Sequence, residues 1–311
     1  MSASEHPVRI SRSRRSPALS IVSVNYNNSR LLADCLDRSI EKLRGIDYEI
    51  ILVDNCSSDD SYDFLVSRFA SNERVRVVRS DRNGGFGYGC NFGAELATSP
   101  VLWFLNSDAW ITNIKGLSEV LNLMALRDTG MVGTSAYLVD GSPCPQGGGD
   151  VSFSYLLLSS LRLGRLFRIL PSHMRDLVVR LHRLAPGAVG RYLKSFDHAN
   201  QSSTYVSQAV GGASFLISRY AFDELGGFDE GFFLYDEDGD LSARAVKSGY
   251  RNYVCPSIVT QMYLSATTSK LGNSQLKWIK LQSRQRLIRK HFSGIKRSLL
   301  LLVTRLTWKL L

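Results

Sequence analysis

The sequence predicts an α/β fold built on a mostly parallel sheet with helices on both faces. Short uncharged, β-branched runs alternate with segments of helical periodicity, which is the pattern of strand–helix–strand units. Runs such as Leu19 to Val24 and Val101 to Leu105 carry no charge, as strands buried on both faces require. Polar clusters follow directly after those runs, at the carboxyl ends of strands, where an open α/β sheet binds its ligands.

Along the chain, residues 1–18 are rich in Ser, Arg and Pro and read as a flexible basic arm. Leu19 to Val24 is the first strand. Residues 29–44 put Leu32, Cys35, Leu36, Ile40 and Leu43 on one helical stripe, and Gly45 ends it. Glu49 to Val53 is the second strand, followed by the polar loop Asp54 to Ser61 and a helix around Tyr62 to Phe69. Val75 to Val78 and Val101 to Leu105 are the third and fourth strands. Residues 117–127 read as helix and Gly130 to Ala136 as strand. A basic, Leu-rich helical insertion at 151–200 then interrupts the pattern. Ala213 to Ile217 and Phe232 to Tyr235 are short apolar pieces, and Leu241 to Ser248 is a helix ending near Gly249. Residues 261–311 read as one or two basic amphipathic helices beyond a main domain at 19–260.

With 311 residues, 34.7 kDa and 44% hydrophobic residues, the chain can bury a full core. Its 21% charged and 10% aromatic residues exclude a disordered polymer. Five scattered Cys without a CxxC pair argue against a disulfide scaffold and a Cys-ligated zinc site. No apolar run approaches the roughly 18 residues of a spanning helix. The N-terminus has basic residues but no apolar stretch behind them, so no secretory signal is expected. The net charge of +10 is uneven: residues 270–311 hold eleven basic and no acidic residues, whereas 21–150 is −6 and 201–269 is −4. An acidic body with basic periphery suits an anionic membrane surface better than nucleic acid, because the basic residues alternate with Leu runs. No nucleic-acid partner is expected. Ordinary helix packing, including a homodimer, is the competing use of the basic tail.

Four clusters hold the candidate chemistry. Val53-Asp54-Asn55-Cys56-Ser57-Ser58-Asp59 ends a strand with groups that can bond a base or ribose, although an Asx-turn capping the next helix also fits. Asn83-Gly84-Gly85-Phe86-Gly87-Tyr88-Gly89-Cys90-Asn91 allows close backbone approach, with free N–H groups ahead of a helix starting near Asn91. It is neither a GxGxxG fingerprint nor a P-loop. Asn106-Ser107-Asp108 follows an uncharged strand, and the Asp108 carboxylate suits Mg²⁺ or Mn²⁺ bridging to a diphosphate. Tyr235-Asp236-Glu237-Asp238-Gly239-Asp240 crowds four carboxylates into five positions, which needs a cation nearby or a raised pKa of the kind a general base uses.

This ordered set resembles the family-2 glycosyltransferases of the GT-A fold, and among them the rhamnosyltransferase-like enzymes of bacterial surface-polysaccharide assembly. The likeness spans about residues 19–260 and includes Val24-Asn25-Tyr26-Asn27 and Gly211-Gly212-Ala213 through Gly227-Phe228-Asp229-Glu230. It implies a Rossmann-like GT-A domain that moves a sugar, with inversion, from a nucleotide sugar such as dTDP-L-rhamnose. The implied acceptor is a glycan or a polyprenyl-diphosphate-linked glycan at the cytoplasmic face of the plasma membrane. By the resemblance, Asn25, Tyr26, Asp54 and Asn55 contact the nucleoside, and Asn83, Gly84, Gly85, Phe86 and Asn91 form the donor loop. Asn106 and Ser107 flank Asp108, which holds Mg²⁺ or Mn²⁺. Gly211 and Gly212 line the donor or acceptor pocket, Asp238 is the catalytic base and Glu237 positions the acceptor. Two departures stand out. The first acidic position of the metal element is Asn106, and Gln261 stands where many relatives carry a His. The competing functions are nucleotidyl transfer and basic nucleic-acid binding.

Overall fold

The computed structural model describes residues 17–144, 146–147, 150–161, 202–263 and 272–309. Most of the expected basic arm and most of the 151–200 insertion lie outside the described residues. The chain runs β1 (Leu19–Asn25), α1 (Ser29–Lys42), β2 (Tyr48–Asp54), α2 (Ser61–Phe69), β3 (Val75–Arg79), α3 (Phe86–Leu96) and β4 (Val101–Leu105). It continues with β5 (Ala109–Ile114), α4 (Leu117–Met124), β6 (Thr129–Leu138), β7 (Pro143–Cys144) and α5 (Phe153–Ser160). After the insertion come β8 (Tyr205–Ser207), β9 (Ser214–Ser218), α6 (Arg219–Glu224), α7 (Glu237–Lys247), β10 (Arg251–Met262), α8 (Asn273–His291) and α9 (Gly294–Lys309).

The central sheet has the order β3-β2-β1-β4-β9-β6-β10-β5. Its first half is parallel, as expected: β1 pairs in parallel with β2 and β4, and β2 with β3. The second half is mixed. β9 lies antiparallel between β4 and β6, and β5 antiparallel to β10. The connection between β4 and β5 is only Asn106 to Asp108, too short for the crossover that a parallel pair needs, so β5 joins the sheet at a distant edge. Neither β5 nor the full length of β10 stood out in the sequence.

The sheet separates two apolar layers. One contains Ile21, Leu36, Ile50, Trp103 and Leu216, and the other Val22, Val53, Phe104, Phe215 and Phe228. Phe104 anchors the second layer, with ring centroids 5.1 Å from Phe215, 5.2 Å from Phe222 and 5.4 Å from Phe228. α3 lies close on β1 because Gly89 and Gly93 have no side chain. A Cβ there would come within 2.6 Å of Val24 and 2.5 Å of Val22.

A third apolar cluster joins the C-terminal helices to the domain: Leu156 of α5, Phe232, Leu287 and Ile288 of α8, and Leu300 of α9. Phe232 to Tyr235, expected as an apolar piece, is an irregular turn whose Phe232 fills that cluster. Much of the basic charge on α8 faces inward. Arg284 grips Asp236 with two bonds of 2.9 Å, Arg286 reaches Asp229 at 2.7 Å, and Lys290 reaches Asp229 at 2.6 Å and Asp240 at 2.9 Å. These are the cations that the crowded acidic segment required.

Candidate active site

The site begins at the carboxyl ends of β1, β2 and β4. Asn25 ends β1, and its Nδ2 donates to Asp54 Oδ2 at 2.9 Å and to Ser57 Oγ at 3.2 Å. Ser57 N donates to Asp54 Oδ1 at 3.0 Å. Asn27 adopts a left-handed φ of 52° and is held by Ser57 and Ser58, its N donating to Ser57 Oγ at 2.9 Å and its Oδ1 accepting from Ser58 N at 2.9 Å. The β2 end is tied to the Gly-rich loop, with Asn55 Nδ2 donating to Asn83 Oδ1 at 3.1 Å and to Gly85 O at 2.9 Å.

A cleft of about 750 Å³ opens over these strand ends. Tyr26, Asn55, Asn83, Gly85 and Phe86 line one part of it. Asn106, Ser107 and Asp108 line another, and Gly212, Glu237 and Asp238 a third. Asp108 and Asp238, far apart in sequence, therefore border one space. Lys280 and Arg284 of α8 and Trp308 of α9 complete the wall. Reasoning from sequence missed these three, because they lie in a tail whose charge read as an outer surface. The only signal for them was the uncompensated acidic cluster.

Five expected residues stand outside the wall of this cleft. Asn25 and Asp54 are fully buried and bond each other, so they brace the loop that carries Tyr26. Gly84 lies under the Tyr88 ring. Asn91 accepts from Phe228 N at 2.9 Å and donates to Phe228 O at 2.9 Å, which ties α3 to the loop before α7. Gly211 N donates to Gln146 O at 2.8 Å and lines a neighbouring cavity of about 340 Å³, which shares Asp236, Asp238 and Arg284 with the cleft.

The Gly-rich loop also differs from its expected form. α3 starts at Phe86 rather than near Asn91. Gly85 has φ +93°, and Phe86 N donates to Phe233 O at 3.0 Å. A Cβ on Gly85 would fall 2.1 Å from that carbonyl oxygen. The following glycines face Phe228, Val24 and Val22, so their missing side chains serve helix–sheet packing rather than an approach to ligand.

The acidic segment resolves into distinct environments. Tyr235 and Asp236 precede α7 in the left-handed region, with φ 71° and 64°, and the Arg284 fork holds that turn in place. Asp240 is fully buried. Burial alone would raise its pKa, but His291, Lys290 and Arg244 outweigh that and hold it below the usual carboxylate range. Asp229 is held low in the same way, against burial, by Lys290 and Arg286. Asp238 Oδ2 accepts from Gly212 N at 2.7 Å and its Oδ1 from Gly239 N at 2.8 Å. Burial still raises its pKa above the ordinary value, against those two donors. Burial, and then the neighbouring Asp238, push Glu237 well above its ordinary value, and its Oε2 is buried without a hydrogen-bond partner. The cleft thus holds two acids whose environments favour protonation, beside a structural set kept ionised.

Asn106 Oδ1 is buried without a hydrogen-bond partner, a neutral oxygen available to a ligand, and Asp108 is a buried carboxylate whose backbone oxygen accepts from Tyr263 N at 2.9 Å. No group of three His, Cys, Asp or Glu side chains that could hold a metal occurs among the described residues. One carboxylate and one amide oxygen fit a Mg²⁺ or Mn²⁺ that takes its remaining oxygens from substrate phosphates and water. Met262 rather than Gln261 lines the cleft at the end of β10.

Comparison with known proteins agrees with this architecture. Residues 20–157 match the family model described as Glycosyl transferase family 2. The Poly(ribitol-phosphate) beta-glucosyltransferase of Bacillus spizizenii is 36% identical over 95 residues, which cover 30% of this chain and 15% of that protein. The N-acetylglucosaminyl-diphospho-decaprenol L-rhamnosyltransferase of Mycobacterium tuberculosis is 36% identical over 67 residues, 22% of each chain. These matches span less than a quarter of either relative's length. The mannosyltransferase PcManGT from Pyrobaculum calidifontis, solved in complex with GDP-Man and Mn²⁺, superposes with a TM-score of 0.55 at 15% identity, covering 97% of this chain and 77% of that one. The chain has a GT-A-like fold with a mixed central sheet, and its residues 20–157 are similar to the family-2 glycosyltransferases.

Proposed function

We propose that this protein transfers a sugar from a nucleotide sugar to a glycan or polyprenyl-diphosphate-linked acceptor, in one displacement that inverts the anomeric centre. The observation that supports this best is the shared cleft, with Asp108 and Asp238 on the walls of one space large enough for a nucleotide sugar. Tyr26 and Asn55 take the nucleoside, with Asn25 and Asp54 bracing them from behind. Asn83, Gly85 and Phe86 close that side of the donor. Asn106, Ser107 and Asp108 face the diphosphate. A divalent ion held there, by Asp108 and Asn106, would neutralise charge on the departing nucleoside diphosphate. Lys280 and Arg284 add positive charge to the same cleft.

Asp238 is the general base. Its carboxylate removes the acceptor hydroxyl proton as the oxygen attacks the anomeric carbon from the face opposite the leaving group. Gly212 N and Gly239 N fix the carboxylate in orientation. Burial raises its pKa, which makes the ionised carboxylate a stronger proton acceptor. Glu237, favoured in its protonated form, donates a hydrogen bond to the acceptor. The smaller cavity beyond Asp238, bordered by Gly211, receives the acceptor.

The proposed donor is dTDP-L-rhamnose, for which the support is the decaprenol-linked rhamnosyltransferase relative. The transferase unit is residues 19–260, with α8 and α9 closing its cleft, and the site of action is the cytoplasmic face of the plasma membrane. No helix among the described residues is long and apolar enough to cross a membrane. The test is a thermal-shift screen of nucleotide sugars with and without Mg²⁺ or Mn²⁺, followed by product analysis. The expected result is selective stabilisation by one donor, deepened by the ion, and release of a nucleoside diphosphate with a glycosylated acceptor. Release of pyrophosphate would replace this reading with nucleotidyl transfer.

A further inference from the structure

The two C-terminal helices use their basic residues differently. On α8, Arg284, Arg286, Lys290 and His291 are engaged by Asp229, Asp236 and Asp240. On α9, Lys296, Arg297 and Arg305 are exposed, and no ion pair to them occurs among the described residues. Lys296, whose Nζ also lies 5.9 Å from the Phe153 ring, and Arg305 flank an apolar stripe that the fold does not cover, whereas Arg297, seven residues before buried Thr304, lies on the opposite side of the helix. Ile295, Leu299, Leu302 and Leu306 are 87%, 39%, 55% and 56% exposed. Their spacing of four, three and four residues places them on one helix face. The other side of α9 is already satisfied, with Leu300 and Thr304 buried and Thr304 Oγ1 3.3 Å from Ser160 Oγ on α5. α9 is therefore apolar on two faces, one inside the protein and one outside.

Position gives the outer face a purpose. At the C-terminal end of α9, Trp308 lines the cleft, and its Nε1 donates to Lys277 O at 3.0 Å. The exposed stripe thus begins at the far end of the helix and ends beside the cleft. We propose that the outer face of α9 docks in the plane of an anionic phospholipid leaflet. Ile295, Leu299, Leu302 and Leu306 enter the acyl boundary, and the flanking Lys296 and Arg305 meet headgroup phosphates. Sixteen helical residues lay roughly 24 Å of this face along the membrane. The cleft wall that Trp308 forms on the other side of α9 then lies about one helix diameter, roughly 10 Å, from the leaflet surface, where a lipid-diphosphate acceptor presents its sugar. That last consequence rests on the acceptor proposed above, but the lipid contact itself does not.

The test is flotation of the full chain with phosphatidylcholine vesicles, with and without phosphatidylglycerol, alongside light scattering and donor turnover on a water-soluble acceptor. Wild-type protein is expected to float only with the anionic vesicles. Leu302→Asp with Leu306→Asp should reduce the bound fraction roughly tenfold or more, since apolar burial drives interfacial docking. Lys296→Gln with Arg305→Gln should weaken binding and flatten its salt dependence. Both pairs should keep the wild-type melting temperature and turnover of the soluble acceptor. Arg286→Gln, on the inward-facing helix, should float like wild type. Failure of wild type to float, or unchanged flotation by the leucine pair, would overturn the proposal. So would a wild-type dimer that the leucine pair converts to monomer without a change in flotation, since the stripe would then join two copies. Flotation without turnover of any nucleotide sugar would reject the transferase reading and leave the membrane contact standing.

Discussion

Replacing Asp238 with Asn tests the proposed chemistry most directly, and its consequences follow from two hydrogen bonds. In the native protein Oδ2 accepts from Gly212 N at 2.7 Å and Oδ1 from Gly239 N at 2.8 Å. An Asn side chain has the same shape but only one acceptor oxygen, so one of those N–H groups must face an NH₂. Leaving a buried donor without its partner costs about 1–3 kcal/mol. Removing a carboxylate that burial disfavours, beside a second acid, returns part of that cost. Net stability should therefore move by no more than about 2 kcal/mol, and the protein should fold. Catalysis should fall much further. Loss of a positioned base removes about 10²–10⁴ in rate, equivalent to about 2.7–5.4 kcal/mol of transition-state stabilisation. Donor affinity should stay within about threefold, because Tyr26, Asn55 and Asp108 lie on other parts of the wall. The assay is nucleoside diphosphate release at saturating acceptor, paired with donor-induced thermal shifts. A folded Asp238→Asn protein that retains wild-type kcat would refute the assignment of the base.

The other predictions follow from the same geometry. Glu237 binds its proton more tightly in the folded protein than in the unfolded chain, so wild-type stability should fall as pH rises from the ordinary Glu value of 4.5 through the raised folded value. Glu237→Gln lacks that loss, so its melting-temperature advantage over wild type should widen with pH, and parallel melting curves across the pH series would contradict the raised pKa. Gly85→Ala should cost about 2–4 kcal/mol, because it adds a Cβ at φ +93° and 2.1 Å from Phe233 O; denaturant unfolding measures it, and a neutral substitution would show that the loop can shift. Arg284→Met should cost about 2–4 kcal/mol, somewhat less than a fully buried pair because Arg284 and Asp236 keep 27% and 16% exposure. It should also move the acid limb of kcat/KM to higher pH, since an uncompensated Asp236 carboxylate disfavours ionised Asp238. An unchanged pH profile would disconnect the Asp236 turn from the base.

The parallel half of the fold was legible because its strands are separate β-branched, apolar runs, uncharged in β1 and β4, and the helices α1 and α2 stand between the first three. Leu19 to Asn25 and Val101 to Leu105 needed no tertiary context to declare themselves. β5 and β10 were illegible for a physical reason. Ala109–Ile114 follows β4 after three residues, and Arg251–Met262 carries polar residues along its length and register shifts, so neither presents an isolated apolar run. At the site, Asn106, Asp108, Glu237 and Asp238 were visible because charge or amide groups stand just past a strand end or at a helix start. Asp54 and Asn91 have the same sequence appearance, yet the fold uses both as internal braces, which only their partners Asn25, Ser57 and Phe228 reveal. The opposite error applies to Arg284. Its neighbours Lys280, Arg286 and Lys290 made it look like a surface cation, when it is the counterion of the acidic turn.

The inward grip of α8 sets the smallest piece of this protein that can stand by itself. The expected domain boundary at residue 260 makes a truncation there look natural. Cutting at that point would strip Arg284, Arg286, Lys290 and His291 from Asp229, Asp236 and Asp240 and lay Phe232 open to water. Asp229 and Asp236 would be left without these cations and Asp240 with Arg244 alone, and the turn that carries Asp238 would lose its clamp. A shortened version must therefore run at least through His291 if it is to keep the geometry of the intact cleft.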